Sequence, residues 1–288
     1  MSRIHDVLAA PATFASRAHR AYWSLLNAAR GHKVVPFSAR YWWTRERLVT
    51  EICEKTLAEP ASWEELIRDR RFGHYDERVV EYSWALARIA TDRVQGRLLD
   101  VGCVMNTSYC LRKLTAKFED IHLLNLVSEP LALHGRISYH CEDIRASALA
   151  PSSFDAVTCI STIEHVGGDN GYNSSPNGTP ELPPEKGGMA AWEPAFGTLL
   201  RLIKPRGLLL VTMPFGSGKW VNGFYEFGPA DVSRLHIAAG EVGRQLRTRV
   251  FGKDALGWRY VSAGDAPLAE GFPQSASGSG AVLLVETT

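Results

Sequence analysis

Short apolar runs recur along the chain after residue 75, and stretches with helical spacing of apolar positions lie between most of them. The runs predict strands at 96–101, 121–127, 137–141, 154–160, 208–213, 248–251 and 281–286. The helical patterns occupy 76–90, 109–118, 189–203 and 229–239. Strands that alternate with helices form parallel, doubly wound sheets. The pattern therefore predicts an α/β fold with a doubly wound, mostly parallel, Rossmann-like sheet of about seven strands.

The first part of the chain differs from this pattern, which divides the chain into an N-terminal helical extension, 1–74, and an α/β domain, 75–288. Phe14, Tyr22 and Leu25 lie near one face of a predicted helix that also carries Arg residues. Such a helix can lie on a membrane surface, but packing on the main domain or on a second subunit is the favoured interpretation. An oligomer formed through these helices is one form that this packing can take.

A glycine follows the first predicted strand, in the sequence Asp100-Val101-Gly102. Without a Cβ, Gly102 tolerates unusual dihedral angles and lets the backbone approach a ligand closely. The dinucleotide fingerprint requires two further glycines, whereas Cys103 to Asn106 contain none. This difference argues against a nicotinamide or flavin cofactor.

Two loops interrupt the strand and helix pattern. The loop 167–188 is rich in Gly, Pro, Asn and Ser, and its length indicates a lid or substrate loop. The loop 214–220 is also glycine-rich, but Lys219 is followed by Trp220 rather than by the Ser or Thr that a phosphate-binding loop uses for magnesium. The second loop therefore does not predict a nucleotide triphosphatase.

Composition narrows the functional class. With 45% apolar and 22% charged residues, the chain resembles an ordinary globular protein, and its net charge of +1 argues against nucleic-acid binding. The five cysteines form no C-x-x-C pair, which favours reduced thiols and a cytoplasmic location. We find neither a membrane-spanning run nor an export signal, and no compact carboxylate cluster requires a metal ion.

The helix before the first strand carries Arg78, Glu81 and Tyr82 on one face, one turn apart. Arg78 can point its guanidinium group at a carboxylate in the ligand pocket, or it can form a surface pair with Glu81. The sequence leaves these two alternatives equal.

Four segments together resemble a class I S-adenosylmethionine-dependent methyltransferase, over residues 75 to 288. The closest resemblance is to a bacterial group that is often found among glycan-assembly genes. The segments that carry it are Asp76 to Tyr82, Leu99 to Asn106, Ile137-Ser138-Tyr139 and Phe154 to Asn170. The most specific part is Ser161-Thr162-Ile163-Glu164-His165-Val166-Gly167, in the expected order of strands and helices.

The resemblance implies S-adenosylmethionine as the cofactor and assigns residues to its parts. Asp100 and Gly102 would face the methionine tail, and Asp143 would accept a hydrogen bond from the adenine amine. Glu129 would bind the ribose, because Asn125 occupies the usual acidic position. The same segments add Arg78, Asn106, Ile144, which would contact the adenine ring, and Ser161. Simpler alternatives exist, since Asp100 and Asp143 can cap local turns and Glu129 can be solvated.

His165 is the first candidate for a catalytic base because the ordinary pKa of imidazole lies near neutrality, and Glu164 and Asp169 are lesser candidates. A purely structural Glu-His pair is the alternative. The implied reaction is methylation of a hydroxyl group on a sugar or glycan intermediate. Methylation of a small natural product and a non-catalytic role as the subunit of a partner protein are the competing functions.

Overall fold

The computed structural model describes residues 39–73, 75–168, 191–221, 224–254, 257–262 and 280–288. The chain divides into two compact units, Met1–Arg47 and Leu48–Thr288. The helices predicted before residue 39 and almost all of the predicted lid loop 167–188 lie outside the described residues. The predicted boundary at residue 74 stays a prediction.

The helices in the described residues have the following bounds. They are α1 (Ala39–Ala58), α2 (Trp63–Arg68), α3 (Arg70–Gly73), α4 (Arg78–Thr91), α5 (Ser108–Lys117), α6 (Trp192–Leu202) and α7 (Pro229–Glu241), with short 3-10 turns at Pro60–Ser62, Ile144–Ala146 and Ile163–His165. Helix α5 begins where expected because the Thr107 side chain accepts a hydrogen bond from Cys110 N. No helix in the described ranges is long and apolar enough to cross a membrane.

The strands are β1 (Arg97–Val101), β2 (Asp120–Asn125), β3 (Ile137–Cys141), β4 (Phe154–Ile160), β5 (Ile203–Pro214), β6 (Lys219–Val221), β7 (Phe224–Glu226), β8 (Leu246–Asp254), β9 (Gly257–Val261) and β10 (Ala281–Thr287). Eight of them form one sheet in the order β3-β2-β1-β4-β5-β10-β8-β9. The neighbours from β3 to β5 are parallel, and β10 runs antiparallel to both β5 and β8. The strands β6 and β7 form a separate hairpin.

This architecture confirms the predicted α/β fold with a doubly wound, mostly parallel sheet. The sheet has eight strands rather than about seven, because β9 adds an antiparallel edge strand beside β8. The β6–β7 hairpin was also not predicted, since its two short strands lie within and after a glycine-rich loop. Strand β5 begins at Ile203, earlier than the apolar run at 208 indicated.

The core explains why β4 is an uninterrupted apolar run. Phe154, Val157 and Cys159 are buried in one cluster with Phe196 and Leu199 of α6, which covers one face of the sheet. Helix α4 is also largely buried, and Trp84 is 1% exposed. A strand that is covered on both faces lacks the polar alternation of a half-exposed strand.

The order of the parallel strands creates a crevice at one edge of the sheet. From β1 the chain proceeds outward to β2 and β3 on one side, and then returns to β4 and β5 on the other side. In doubly wound sheets, ligands bind beyond the carboxyl ends of the strands where the order reverses. Here that point lies between β1 and β4, and we call the space beyond their carboxyl ends the switch-point crevice.

Candidate functional site

The strand register brings the ends of four strands to the same edge. Val101 of β1 pairs with Leu124 of β2 and with Cys159 of β4. On the outer side, Asn125 of β2 pairs with Cys141 of β3. The segments that follow these residues contain most of the predicted site residues, which the fold therefore places around the switch-point crevice. They are Gly102, Asn106, Glu129, Asp143, Ile144, Ser161, Glu164 and His165.

Gly102 begins the turn after β1. Its φ is +88°, a left-handed conformation that favours glycine, and its N–H donates to Leu124 O at 2.8 Å. A Cβ at this position would lie 2.0 Å from Oγ1 of Thr162. The glycine is therefore required by its own backbone and by a neighbouring side chain, independently of a ligand.

Asp100 holds this turn from within. Its carboxylate is fully buried, and it accepts hydrogen bonds from Met105 N at 2.8 Å and from Thr158 Oγ1 at 2.7 Å. Burial raises the pKa of Asp100 to about 7, although both hydrogen bonds act to lower it. These contacts match the simpler alternative, in which Asp100 caps the turn. Its contact with a methionine tail stays a prediction.

Asn106 links the turn after β1 to the segment after β2. Its amide nitrogen donates to Pro130 O, and its amide oxygen accepts from Ala132 N, each at 3.0 Å. Glu129 lies just before that segment and is exposed, and its Oε1 accepts from Asn125 Nδ2 at 2.9 Å. The structure thus places Glu129 beside the acidic position that Asn125 replaces.

Asp143 begins the 3-10 turn after β3. Its Oδ1 accepts from Arg145 N at 2.8 Å, which is a capping bond, and its Oδ2 accepts from Arg145 Nη2 at 2.7 Å. The next residue, Ile144, is 7% exposed and packs in the main core cluster. Asp143 therefore has a side-chain partner that the sequence did not predict, and its role toward adenine stays a prediction.

Helix α4 reaches the crevice through Arg78 and Glu81. Arg78 Nη1 donates to Glu81 Oε2 at 2.8 Å, and Thr212 Oγ1 of β5 donates to Glu81 Oε1 at the same distance. Glu81 is 0% exposed, so the pair is not on the surface. Burial acts to lower the pKa of Arg78, but Glu81 and other carboxylates raise it overall. A further hydrogen bond, from Tyr82 Oη to Val104 O at 2.7 Å, connects α4 to the turn after β1.

The turn after β4 is held by the same contacts. Ser161 has φ +44° and its N–H donates to Thr212 Oγ1 at 3.0 Å, while its own Oγ donates to Glu164 Oε1 at 2.7 Å. A non-glycine residue in this conformation is uncommon, and such residues cluster at functional sites. The hydrogen bonds therefore form an unbroken chain from Arg78 through Glu81, Thr212 and Ser161 to Glu164.

Glu164 and His165 differ in their surroundings. Glu164 is 2% exposed, and burial raises its pKa to about 7. The side chain of His165 is 46% exposed, and its Nε2 lies 3.9 Å from Glu164 Oε1. The His165 ring also makes an edge contact with Phe224 of the β6–β7 hairpin. The third catalytic candidate, Asp169, lies outside the described residues.

No family model matches the chain, and no curated protein matches it either. Among solved structures, N-methyltransferase NodS from Bradyrhizobium japonicum with S-adenosylhomocysteine is 16% identical, with a TM-score of 0.43, and covers 83% of this chain and 97% of its own. Phosphoethanolamine N-methyltransferase 2 of Haemonchus contortus is 20% identical, with a TM-score of 0.39, and covers 57% and 37%. The cyclase SpnF is 18% identical, with a TM-score of 0.42, and covers 67% and 74%. Likenesses at this level do not decide an activity for the chain.

Sequence reasoning missed three residues that organise the site. Thr162 leaves no room for a Cβ at position 102. Thr212 connects Glu81 to Ser161 through hydrogen bonds, and Arg145 donates to Asp143. Thr162 lies within the recognised motif, but Thr212 carries no sequence signal that relates it to Glu81. In the part of the chain that the structure describes, no group of three or more His, Cys, Asp or Glu residues could hold a metal ion.

Proposed function

We propose that the protein is an S-adenosylmethionine-dependent methyltransferase whose cofactor binds in the switch-point crevice. The observation that carries the proposal is the convergence of the recognised motifs at this one edge of the sheet. The register places Gly102, Glu129, Asp143 and Ser161 after the ends of β1, β2, β3 and β4. Segments that are far apart in the sequence are thus combined at the place where doubly wound sheets bind ligands.

The loop after β1 favours a cofactor without a pyrophosphate. A pyrophosphate needs free backbone N–H groups at the turn and at the helix N-terminus. Here the N–H groups of Gly102, Met105, Asn106 and Thr107 already donate to Leu124 O, Asp100, Cys103 O and Met105 O. These four N–H groups are therefore not free for a pyrophosphate, which supports the argument against a dinucleotide.

The charges around the crevice favour a cationic ligand. Glu129 and Asp143 border it, and Glu164 lies beneath the turn after β4. The two arginines here are each paired with a carboxylate, Arg145 with Asp143 and Arg78 with Glu81. S-adenosylmethionine carries positive charge at its sulfur and at its amino group, so that carboxylates lower the free energy of the bound state. Glu129 would accept from the ribose hydroxyls and Asp143 from the adenine amine.

The bound cofactor supplies an electrophilic methyl group. The residues of this chain then have to place the acceptor in line with that group and remove its proton. We propose that His165 accepts the proton from a hydroxyl group of a sugar or glycan intermediate, while the acceptor oxygen bonds to the methyl carbon. The cofactor would supply this methyl group, and its sulfur would keep the electron pair of the broken carbon–sulfur bond. The sugar acceptor rests on the motif resemblance to the glycan-associated group.

Several further expectations accompany this function as proposals. They are a methyltransferase domain that begins at residue 75, an N-terminal extension that supports oligomerisation, a lid at 167–188 and a cytoplasmic, bacterial setting. A small natural product is the alternative acceptor, and a role as the non-catalytic subunit of a partner protein is the alternative function. The site would in that last case bind cofactor without turnover.

Calorimetry on the full chain tests the cofactor. We expect S-adenosylmethionine and S-adenosylhomocysteine to bind with micromolar dissociation constants and NAD not to bind. Glu129→Gln should lower the affinities for both ligands by roughly 10-fold, since a hydrogen bond to a charged group is lost. The matched control is Glu119→Gln, an exposed glutamate before β2, which should leave both affinities unchanged. Failure of the wild-type protein to bind either ligand would contradict the proposal.

Transfer of a radiolabelled methyl group tests the acceptor. Nucleotide sugars, simple glycosides and phenolic natural products form the panel, with release of S-adenosylhomocysteine as a second measurement. Label in a sugar supports the leading proposal, and label in a phenol supports the alternative acceptor. Tight cofactor binding with no label in any compound or in the protein's copurified partners would favour the non-catalytic role.

A further inference from the structure

One oxygen atom of Glu164 has no hydrogen-bond partner among the described residues. Its Oε1 accepts from Ser161 Oγ at 2.7 Å, whereas its Oε2 is buried without a partner. The residue is 2% exposed. A buried acceptor that lacks a donor raises the free energy of the folded state, so that such an atom requires an explanation.

Glu164 lies near both a buried carboxylate, Glu81, and a cation, Arg78. Glu81 is fully buried, and Glu77 Oε2 is a second buried oxygen without a partner in the described part of the chain. Burial, and then the neighbouring carboxylates of Asp76 and Glu81, raise the pKa of Glu77 to about 8. Arg78 is a cation among these groups and donates a hydrogen bond to Glu81, and Lys253 is a second cation, near Glu77. Within the described residues, Arg78 therefore directs its hydrogen bond to Glu81 and not to Oε2 of Glu164.

The position of Glu164 is fixed before any ligand binds. Ser161 holds Oε1, Thr212 holds Ser161 N, and Glu81 holds Thr212 Oγ1. The opposite oxygen, Oε2, is thus oriented by three elements: α4, β5 and the turn after β4. Asp100, the acidic residue that the sequence assigned to the methionine tail, has both oxygens engaged by Met105 N and Thr158. Glu164 Oε2, by contrast, is buried and has no donor within the described residues.

We propose that Glu164 accepts the positive charge of the bound cofactor, its ammonium or its sulfonium group, and that Ser161, Thr212, Glu81 and Arg78 are its positioning residues. This inference rests on the proposed function, since it needs S-adenosylmethionine in the switch-point crevice. A cation there would give the buried Oε2 a partner. The proposal also separates the two neighbours, with Glu164 serving the cofactor and His165 serving the acceptor.

Three probes of different charge test this assignment. S-adenosylmethionine carries both cationic groups, S-adenosylhomocysteine carries only the ammonium group, and 5′-methylthioadenosine carries neither. Calorimetry would compare their affinities for the wild-type chain and for Glu164→Gln, which keeps the shape and removes the charge. The matched control is Glu286→Gln. Glu286 is also buried, at 2% exposed, but it lies on β10 opposite Leu210 of β5 and forms ion pairs with Arg88 and Arg247.

The three affinities distinguish the two cationic groups. If Glu164 contacts the ammonium group, Glu164→Gln should lower the affinities for S-adenosylmethionine and S-adenosylhomocysteine by roughly 10-fold or more. The affinity for 5′-methylthioadenosine should not change. If Glu164 contacts the sulfonium group, the substitution should lower the affinity for S-adenosylmethionine only. Equal affinities of the Gln variant and the wild type for all three ligands would overturn the inference. Absence of binding by the wild type would instead refute the proposed function itself.

The proposed role of the positioning residues is tested with a different variant. Thr212→Val keeps the volume of the side chain and removes the hydroxyl group that joins Glu81 to Ser161. We expect a loss of roughly 3-fold or more in affinity for the ligand that Glu164→Gln affects, with the affinity for 5′-methylthioadenosine unchanged. Uniform loss for all three ligands would indicate a structural role only. If Glu164→Gln does not fold, Glu164→Asp, which withdraws the carboxylate by one methylene group, gives the same comparison.

Discussion

Thr162 lies directly against the Cα of Gly102, so that a Cβ on Gly102 would stand 2.0 Å from Thr162 Oγ1 and 2.8 Å from Thr162 Cβ. The turns after β1 and β4 are therefore packed against each other at the switch-point crevice. The sequence explained Gly102 by an unusual backbone conformation, which φ +88° confirms, and by the approach of a ligand. The structure gives a reason that is present in the protein alone.

This contact predicts the effect of Gly102→Ala. The substitution introduces both the clash with Thr162 and a side chain at φ +88°, and we expect the free energy of unfolding to fall by about 2 kcal/mol or more. Urea denaturation measures it. The control is Gly197→Ala in α6, where a Cβ meets nothing within 4 Å and stability should rise by up to about 1 kcal/mol. Equal stability of Gly102→Ala and the wild type would contradict the packing described here.

The inner strands of the parallel half of the sheet could be predicted because burial on both faces leaves a clear sequence pattern, whereas β3 is an edge strand whose residues are partly exposed. The predicted bounds 137–141 and 154–160 coincide with β3 and β4. Strand β9 and the β6–β7 hairpin could not be predicted in this way, because Trp220 and Phe224 lie in runs too short to show a period. Edge strands and hairpins depend on contacts that the local sequence does not contain.

The candidate site was predictable in its positions but not in its contacts. Motif spacing places Asp143 and Ser161 at the ends of strands, which topology then brings to one edge. The bond between Glu81 and Thr212 joins residues that are 131 positions apart, and no local pattern relates them. For the same reason the sequence treated Arg78 and Glu81 as a surface pair or a ligand contact, whereas Glu81 is buried.

The raised pKa values of buried carboxyl groups predict a pH dependence of stability. Burial raises the pKa of both Asp100 and Glu164 to about 7. A folded pKa above the unfolded value means that the folded state holds the proton longer, so these groups stabilise the protein at low pH. That contribution is lost as the pH rises from about 4 through 7. Each group can contribute a slope of at most about 1.4 kcal/mol per pH unit.

Urea denaturation at pH 5.5, 7 and 8.5 checks this prediction by difference. Asp100→Asn and Glu164→Gln should each lose less stability over this range than the wild type does. Asp155→Asn is the control: burial acts to raise the pKa of Asp155, but bonds from Lys204 and Arg97 N lower it overall, so its contribution is constant here. Parallel pH profiles for the wild type and the two test variants would refute the assignment.

A histidine pair on β2 and β3 predicts the opposite trend. The rings of His122 and His140 are stacked, and His122 Nδ1 lies 2.8 Å from His140 Nε2. Burial and then His122 lower the pKa of His140, with Glu142, Arg97 and Asp120 as the other charged neighbours. A lowered folded pKa gives stability that is complete above the unfolded value, about 6.5, and is lost as the pH falls.

We therefore expect His140→Gln to lose less stability than the wild type between pH 7 and pH 5. Chemical denaturation at several pH values in this range measures the difference. His134→Gln, a substitution of an exposed histidine on the loop between β2 and β3, serves as the matched control and should follow the wild type. If the pH profile of His140→Gln also follows that of the wild type, the folded structure does not disfavour protonation of His140.

The last prediction concerns the methyl acceptor and His165. Its side chain is 46% exposed, so His165→Ala should change the melting temperature by only a few degrees and should leave the affinity for S-adenosylmethionine unchanged. If His165 takes the acceptor proton, turnover should fall by roughly 100-fold or more. The wild-type rate should also rise with pH through one ionisation that the variant lacks, provided that chemistry limits the rate.

The neighbouring carboxylate gives the contrast that makes this test decisive. Glu164→Gln should weaken cofactor binding, whereas His165→Ala should lower the rate at saturating cofactor, because the two side chains serve different ligands. A double variant should then show independent effects on KM for the cofactor and on kcat. Full activity of His165→Ala across the pH range would exclude proton transfer by this residue. The role would then pass to Asp169 or Glu164, and a pH step that disappears in Glu164→Gln would identify Glu164 as the base.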